Sequence, residues 1–322
     1  MLSFFCISII YRAILIEKRR RVMRGIRSIL LLVSVLLCFS LNSASAKRYM
    51  LSIHTASPLH MQRQHFGKMK VSFLKVGQGD ATLITLPNGQ TMLIDGGPYE
   101  AGEVIIQKLI EKGINHLDAI VSTHPDMDHI GGLIPIVEQM PVSLILDSGK
   151  TYSSLTYHTY RNNIKKRGIP FISVKEGQYI PLDPHVSIQV LNNGKSKDEN
   201  NESSIVLKVR YGKADFLLMG DADVRTETEI LKQFDVHADV LKVGHHGSYT
   251  STSERFIKKV EPQFAILSYG SRNPYGHPHQ SVVRRLKRRG IMMYGTNRRT
   301  VEMETDGEHI IIGSSGLMPL LK

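Results

Sequence analysis

The sequence predicts an α/β protein, and three observations carry that prediction. Apolar runs of strand length recur between turn residues, stretches with helical spacing lie among them, and three of the runs end in histidine or aspartate. Lys70 to Val76, Ala81 to Leu86 and Thr91 to Asp95 read as strands, the last two joined by a hairpin turn at Pro87, Asn88 and Gly89. Glu103 to Lys112 spaces its apolar residues as a helix does and stops at Gly113. Leu117 to Ser122 is the next strand. The second half repeats this grammar, with strands at Ile188 to Leu191, Ser204 to Val209, Asp215 to Met219, Val240 to Val243 and Phe264 to Ser268. Arg225 to Phe234 and Gln280 to Arg289 are its helices. Two sheets packed face to face with helices outside both accommodate this order, as do other α/β arrangements.

At 322 residues the chain has room for one large or two small domains. Residues 1–46 read as a signal-peptide region to be removed. Met23 to Ala46 has a basic start at Arg24 and Arg27, an apolar run from Ile29 to Leu41, and small residues Ala44 and Ala46 at cleavage spacing. Met23 is a plausible true start. The mature chain is expected to begin at Lys47, with residues 47–67 as a linker and residues 68–322 as the main domain. Export to a periplasmic or extracellular location follows, with no stable membrane span after cleavage. The alternative is an anchor formed by an uncleaved segment, although its apolar run is short for a span of about 20 residues. Cys38 follows Leu37, a large residue that argues against lipidation there.

Cleavage changes the charge argument. The whole chain is +12, but residues 47–322 hold 34 Lys and Arg against 28 Asp and Glu, a net +6. Both cysteines, Cys6 and Cys38, fall in the removed part. The mature protein then has neither a disulfide nor a thiolate ligand, which excludes zinc-finger chemistry and leaves His and carboxylate to hold any metal.

The segment THPDMDHIGG, Thr123 to Gly132, follows the strand Leu117 to Ser122 and packs His124, Asp126, Asp128 and His129 onto one loop. Imidazole and carboxylate suit divalent metals, and ligands this close can serve two ions. A polar turn before a helix is the plain alternative. It loses ground because LLMGDAD (Leu217 to Asp223) and KVGHHGS (Lys242 to Ser248) repeat the design of an apolar strand followed by Asp or His.

His124, Asp126, Asp128 and His129 resemble the HxHxDH signature of the metallo-β-lactamase fold, with aspartate in place of the second histidine. VGQGD, IDGGP, THPDMDHIGG, GDAD, HHGS and NPYGHPH also occur in the order seen in one branch, the hydrolase domain of ComEC-type competence proteins and its free-standing relatives. The resemblance spans roughly Lys68 to Gly313, with Lys75 standing where the family usually has aspartate. It implies a four-layer αββα sandwich and two divalent metal ions, zinc or manganese, with iron also admissible. It further implies that His124 and Asp126 serve one metal, Asp128 and His129 the other, and that Asp221 bridges them. One of His245 and His246 completes the shell. His245 is the choice, leaving His246 for substrate or an outer contact. The usual third histidine has no counterpart; Asn200, Asn201, Glu202 and Ser203 occupy that region.

Asp126 adds an anionic oxygen, which makes manganese or iron as credible as zinc. Asp128 is placed to orient an attacking water, and His277 or His279 to protonate a leaving oxygen. Arg272, Asn273 and Tyr275 of the same loop are candidates for phosphate contact. Asp95 reads as a structural tie between the first hairpin and the metal loops. The glycines of VGQGD and IDGG read as turn glycines, since no GKS or GKT follows. RRLKRRG, Arg284 to Gly290, puts five cations on one helix, either merely solvated or tracking a polyanion with Arg298 and Arg299. No aromatic platform is evident beside it, so base stacking is not expected.

These features favour a metal-dependent phosphodiesterase or nuclease whose substrate is a phosphodiester, with DNA a candidate. The alternative within the fold is an ester, lactam or lactone hydrolase; a third reading keeps the metal site for binding or stability alone. Lacking a channel segment, the chain is not expected to perform DNA uptake itself.

Overall fold

Short strands that are apolar at consecutive positions must be covered on both faces. That requirement organises the fold seen in the computed structural model, which describes residues 67–194 and 200–313. The expected signal region 1–46, the expected linker apart from Gly67, and the end of the expected main domain, residues 314–322, lie outside the described residues.

The first sheet contains β1 (Met69–Phe73), β2 (Thr82–Thr85), β3 (Thr91–Ile94), β4 (Ala119–Ser122), β5 (Ile145–Asp147) and β6 (Phe171–Ser173). The second contains β7 (Val186–Asn192), β8 (Val206–Tyr211), β9 (Ala214–Leu218), β10 (Val240–Lys242), β11 (Phe264–Leu267) and β12 (Met292–Gly295). The last two strands, β13 (Val301–Thr305) and β14 (Ile310–Ile312), return to the first sheet beside β1, giving the order β14-β13-β1-β2-β3-β4-β5-β6. The second sheet runs β12-β11-β10-β9-β8-β7. Each sheet joins an antiparallel part to a parallel part, and the parallel pairs include β3 with β4 in one and β9 with β10 in the other.

Alternation along these strands separates three cores. Val71, Ile84, Met92 and Val121 of the first sheet meet Ile188, Val209, Phe216 and Val240 of the second between the sheets. On the outer face of the first sheet, Leu93, Ile120 and Ile145 pack with Ile105 and Leu109 of α1 (Ala101–Glu111). A short α2 (Met127–Ile130) precedes two further helices on this side. These are α3 (Leu133–Gln139), which contributes Ile136, and α4 (Leu155–Arg167), which contributes Tyr160 and Ile164. Beyond the second sheet, Leu217, Leu241 and Ala265 pack with Ile230 of α5 (Val224–Gln233), Phe256 of α6 (Glu254–Val260) and Leu286 of α7 (Gln280–Arg288). The layers are therefore αββα, as the resemblance implied.

The loops at one edge interlock through backbone. Asp80 N donates to Asp128 O (3.2 Å), Gly96 N to His129 O (2.7 Å), and Gly132 N to Gly97 O (2.9 Å). The glycines here do more than turn the chain. A Cβ at Gly132 would lie 2.0 Å from the Gly96 carbonyl oxygen, and one at Gly79 2.2 Å from that of Asp128. Only glycine lets VGQGD, IDGG and HIGG stack so closely.

Across the gap, the loop that follows β10 is clamped by two charged side chains from the outer helices. The Glu227 carboxylate of α5 accepts the N–H groups of Thr252 and Ser253. Arg285 of α7 donates to the carbonyls of Ser251 and Thr252. Burial pushes Glu227 up to about 7, against the lowering effect of the Ser253 and Thr252 hydrogen bonds. A carboxyl raised in the folded state contributes fully below its unfolded value of 4.5 and loses that contribution as pH rises through about 7. Chemical denaturation across this window should show the protein losing about 3 kcal/mol relative to Glu227→Gln; a pH-independent difference would contradict the assignment.

Candidate metal centre

Ligand-bearing loops leave the carboxyl ends of β4, β9 and β10, where ligands of open α/β sheets gather. After β4 the chain runs extended through Asp126 and turns at once into α2, so Asp128 and His129 occupy its first residues. After β9, Gly220 adopts positive φ and delivers Asp221. After β10 the turn Gly244–Gly247 holds His245 (φ 45°) and His246 (φ 54°) in the left-handed region. Two consecutive side chains thereby reach the same centre.

Asp221 is 3% exposed and stands at the middle. His129 Nε2 lies 3.3 Å from its Oδ1. Its Oδ2 is 3.3 Å from His246 Nε2, 3.7 Å from His245 Nε2 and 4.0 Å from His124 Nε2. Asp128 Oδ2 is 3.2 Å from His246 Nε2, and Asp126 Oδ2 is 3.5 Å from His124 Nε2. Ligands bound at about 2.1 Å to one tetrahedral ion sit about 3.4 Å apart. The spacing matches that separation.

The imidazoles are oriented for ligation. His129 Nδ1 faces Asp95 Oδ2 at 2.8 Å, His246 Nδ1 the Ser268 carbonyl at 2.9 Å, and His124 Nδ1 the Thr123 hydroxyl at 3.0 Å. Each Nδ1–H donates outward, which leaves Nε2 as a lone-pair donor turned inward. Nε2 of all three, with Asp221 Oδ1, is buried and has no hydrogen-bond partner. Four orphaned acceptor atoms around one point are costly unless a cation satisfies them. The donor set therefore fits divalent metal, with imidazole and carboxylate as its only ligand types.

Buried imidazoles and carboxylates shift one another's protonation at this centre. Burial opposes charge on His129 and His246, yet Asp221 outweighs it and both are held well above the ordinary imidazole range. Burial likewise opposes the charge on Asp221, while His246 and His129 hold it well below the carboxylate range. Cations bound here take the place of those protons.

All six sequence-derived ligands, His124, Asp126, Asp128, His129, Asp221 and His245, are brought together. The sequence reading chose His245 for the shell; the structure turns Nε2 of both neighbours toward Asp221, with His246 nearer and more deeply buried. His277 stacks against this pair, its ring centroid 5.5 Å from that of His245 and 5.9 Å from that of His246. Burial, then His246 and His245, lower it to about 4, so it is neutral at pH 7. His279 is occupied differently. Its Nδ1 accepts the Tyr249 N–H at 3.2 Å, a structural tie.

Other residues carry roles the sequence reading did not assign. Asn200 Nδ2 donates to Asp126 Oδ1 (2.7 Å), and Asn201 Nδ2 lies 3.3 Å from His245 Nδ1. Asparagines thus occupy the region of the absent third histidine. Asp80 pairs with the buried Lys242 at 2.6 Å. It meets the Nδ1 edge of His246 at 3.7 Å, and with His129, Asp221 and His246 it offers a buried ligand atom, the four lying within 4.8 Å of one another, so it joins the candidate ligands that the sequence reading did not name. Its position in VGQGD, a carboxylate in a glycine-rich loop with no phosphate motif, was the available signal. Asp95 ties the hairpin to the metal loop as expected, through Thr123 N, Thr123 Oγ1 and His129.

A profile described as the Metallo-beta-lactamase superfamily matches residues 74–271. The chain belongs to that superfamily. Among superfamily relatives, it is 32% identical over 248 residues to ComE operon protein 3 of Bacillus subtilis, covering 71% of this chain and 32% of the relative. It is 37% identical over 227 residues to Recombination protein 2 of Haemophilus influenzae, covering 68% of this chain and 26% of the relative. The chain thus spans about a third or less of these relatives. The structure of Igni18, a metallo hydrolase from Ignicoccus hospitalis, superposes with TM-score 0.50 at 14% identity, covering 73% of this chain and 98% of that one, and shows the shared superfamily fold. No helix among the described residues is long and apolar enough to cross a membrane.

Asp95 orients His129 without itself facing Asp221, so Asp95→Asn should weaken metal binding about 10- to 100-fold while the fold persists. Titration against a competing chelator, with circular dichroism as control, reads this; unchanged affinity would remove Asp95 from the centre.

Proposed function

We propose that this chain is an exported, metal-dependent phosphodiesterase or nuclease with DNA as its foremost candidate substrate. The observation that carries the reading is one buried carboxylate, Asp221, faced by the Nε2 atoms of four histidines, with Asp126 and Asp128 beside two of them. Paired divalent cations at such a site supply an activated water and neutralise the charge that develops on phosphorus. The relative named Recombination protein 2 supports a nucleic-acid substrate.

His124, Asp126 and His245 would hold one ion, and Asp128, His129 and His246 a second, with Asp221 available to both. Asp128 lies at the less buried side of the second group and accepts a hydrogen bond from the attacking water, which fixes its direction. His277, neutral beside the two groups, donates an N–H to the leaving oxygen. His279 acts indirectly, holding the Tyr249 loop.

The metal-stripped protein, reloaded with manganese or zinc, should hydrolyse bis-p-nitrophenyl phosphate and single-stranded DNA, and Asp128→Ala should reduce both about 100-fold or more. Turnover of a lactam or carboxylic ester in place of either phosphodiester would reject the reading. For export, N-terminal sequencing of the secreted product should begin at Lys47, and an intact Met23 to Ala46 segment would rule out cleavage.

A further inference from the structure

The basic helix offered no aromatic platform in sequence, yet folding places one beside the metal centre. Tyr249 and Tyr275 are 66% and 61% exposed, and neither lies free on the surface. Tyr275 stacks on His277 at 5.6 Å and 25°. Tyr249 packs edge-on against His279 at 5.0 Å and 76°. His277 and His279 are themselves 5.1 Å apart, and His277 touches the ring of His245. A continuous series of rings therefore runs from the ligand histidines to two exposed tyrosine faces. Bracing by histidine fixes both phenol rings before any ligand arrives, so little side-chain entropy is lost on stacking.

Among the described residues, arginines without partners stand on the loop of Tyr275 and on α7. Arg285 and Arg289 of the basic run are engaged, by the Ser251 and Thr252 carbonyls and by Glu254 respectively. Arg272, on the loop of Tyr275, makes no ion pair or hydrogen bond among the described residues, and the same holds for Arg284 and Arg288. Arg284 and Arg288 are four residues apart on α7 and share one side of it.

We infer that Tyr249 and Tyr275 form a stacking rim for unpaired nucleobases beside the phosphodiester being cut, with Arg272 meeting a neighbouring phosphate. The inference rests on the phosphodiesterase reading and narrows its substrate to single-stranded nucleic acid. Stacked base pairs hide the faces that the tyrosines require, whereas a single strand offers one face per base regardless of sequence.

The test compares KM of the full-length chain for an oligothymidylate and for an abasic oligomer of the same length, which keeps the phosphates and lacks the bases. Wild type should prefer the oligothymidylate. Tyr249→Ala and Tyr275→Ala should each raise its KM about tenfold while moving that of the abasic oligomer less than about twofold. Tyr275→Trp should restore the preference. Because the chain contains no tryptophan, that variant's fluorescence reports on the rim alone, quenched by oligothymidylate and not by the abasic oligomer. Equal KM values in wild type, or alanine variants that shift both oligomers alike, would overturn the stacking rim and leave the phosphodiesterase reading standing. Failure of wild type to cleave any phosphodiester, bis-p-nitrophenyl phosphate included, would instead overturn the reading beneath it.

Discussion

A carboxylate removed from water at the junction of two sheets is the constraint on which this structure depends. Asp221 cannot stay ionised there without nearby positive charge, and four imidazoles from two loops surround it. Each imidazole must point its Nε2 inward, which explains the outer partners Asp95, Ser268 and Thr123. Those partners in turn require loops packed at backbone contact, and so the glycines. The chain of cause runs from one charge to the spacing of three loops.

The two ligand groups around that charge differ. His129 and His246 lie against buried outer partners, with Lys242 and Asp80 beneath them. Asp126 and His245 are more open, and asparagine amides meet both. An amide donating to Asp126 withdraws electron density from a ligand oxygen, while an amide beside His245 only limits its rotation. His129 and His246 are therefore the more preorganised of the ligands.

Much of this was legible in the sequence. Apolar runs ending in Asp or His disclosed the sheets and the central ligands, because burial on both faces writes an unbroken apolar signature. The helix α4 escaped notice because its buried face uses Tyr157 and Tyr160, which blur the apolar period, although Ser154 caps its start and Gly168 its end. The pairing of β13 with β1 joins residues more than two hundred positions apart and leaves no local trace. HHGS offers two adjacent histidines and no local feature that separates their roles. The left-handed turn brings both to the same centre, and nothing in HHGS announces it. The same limit hid the tyrosines, whose proximity to the metal loops arises only when loops from different strands converge.

That turn has a cost beyond geometry. A residue other than glycine in the left-handed region carries strain of order 1–3 kcal/mol, and here two consecutive histidines bear it. Glycine would relax the backbone at either position and remove a metal donor in the same step. Stabilising this loop by glycine would thus give a sturdier, inert protein, so stability and metal binding pull in opposite directions at this point of the chain.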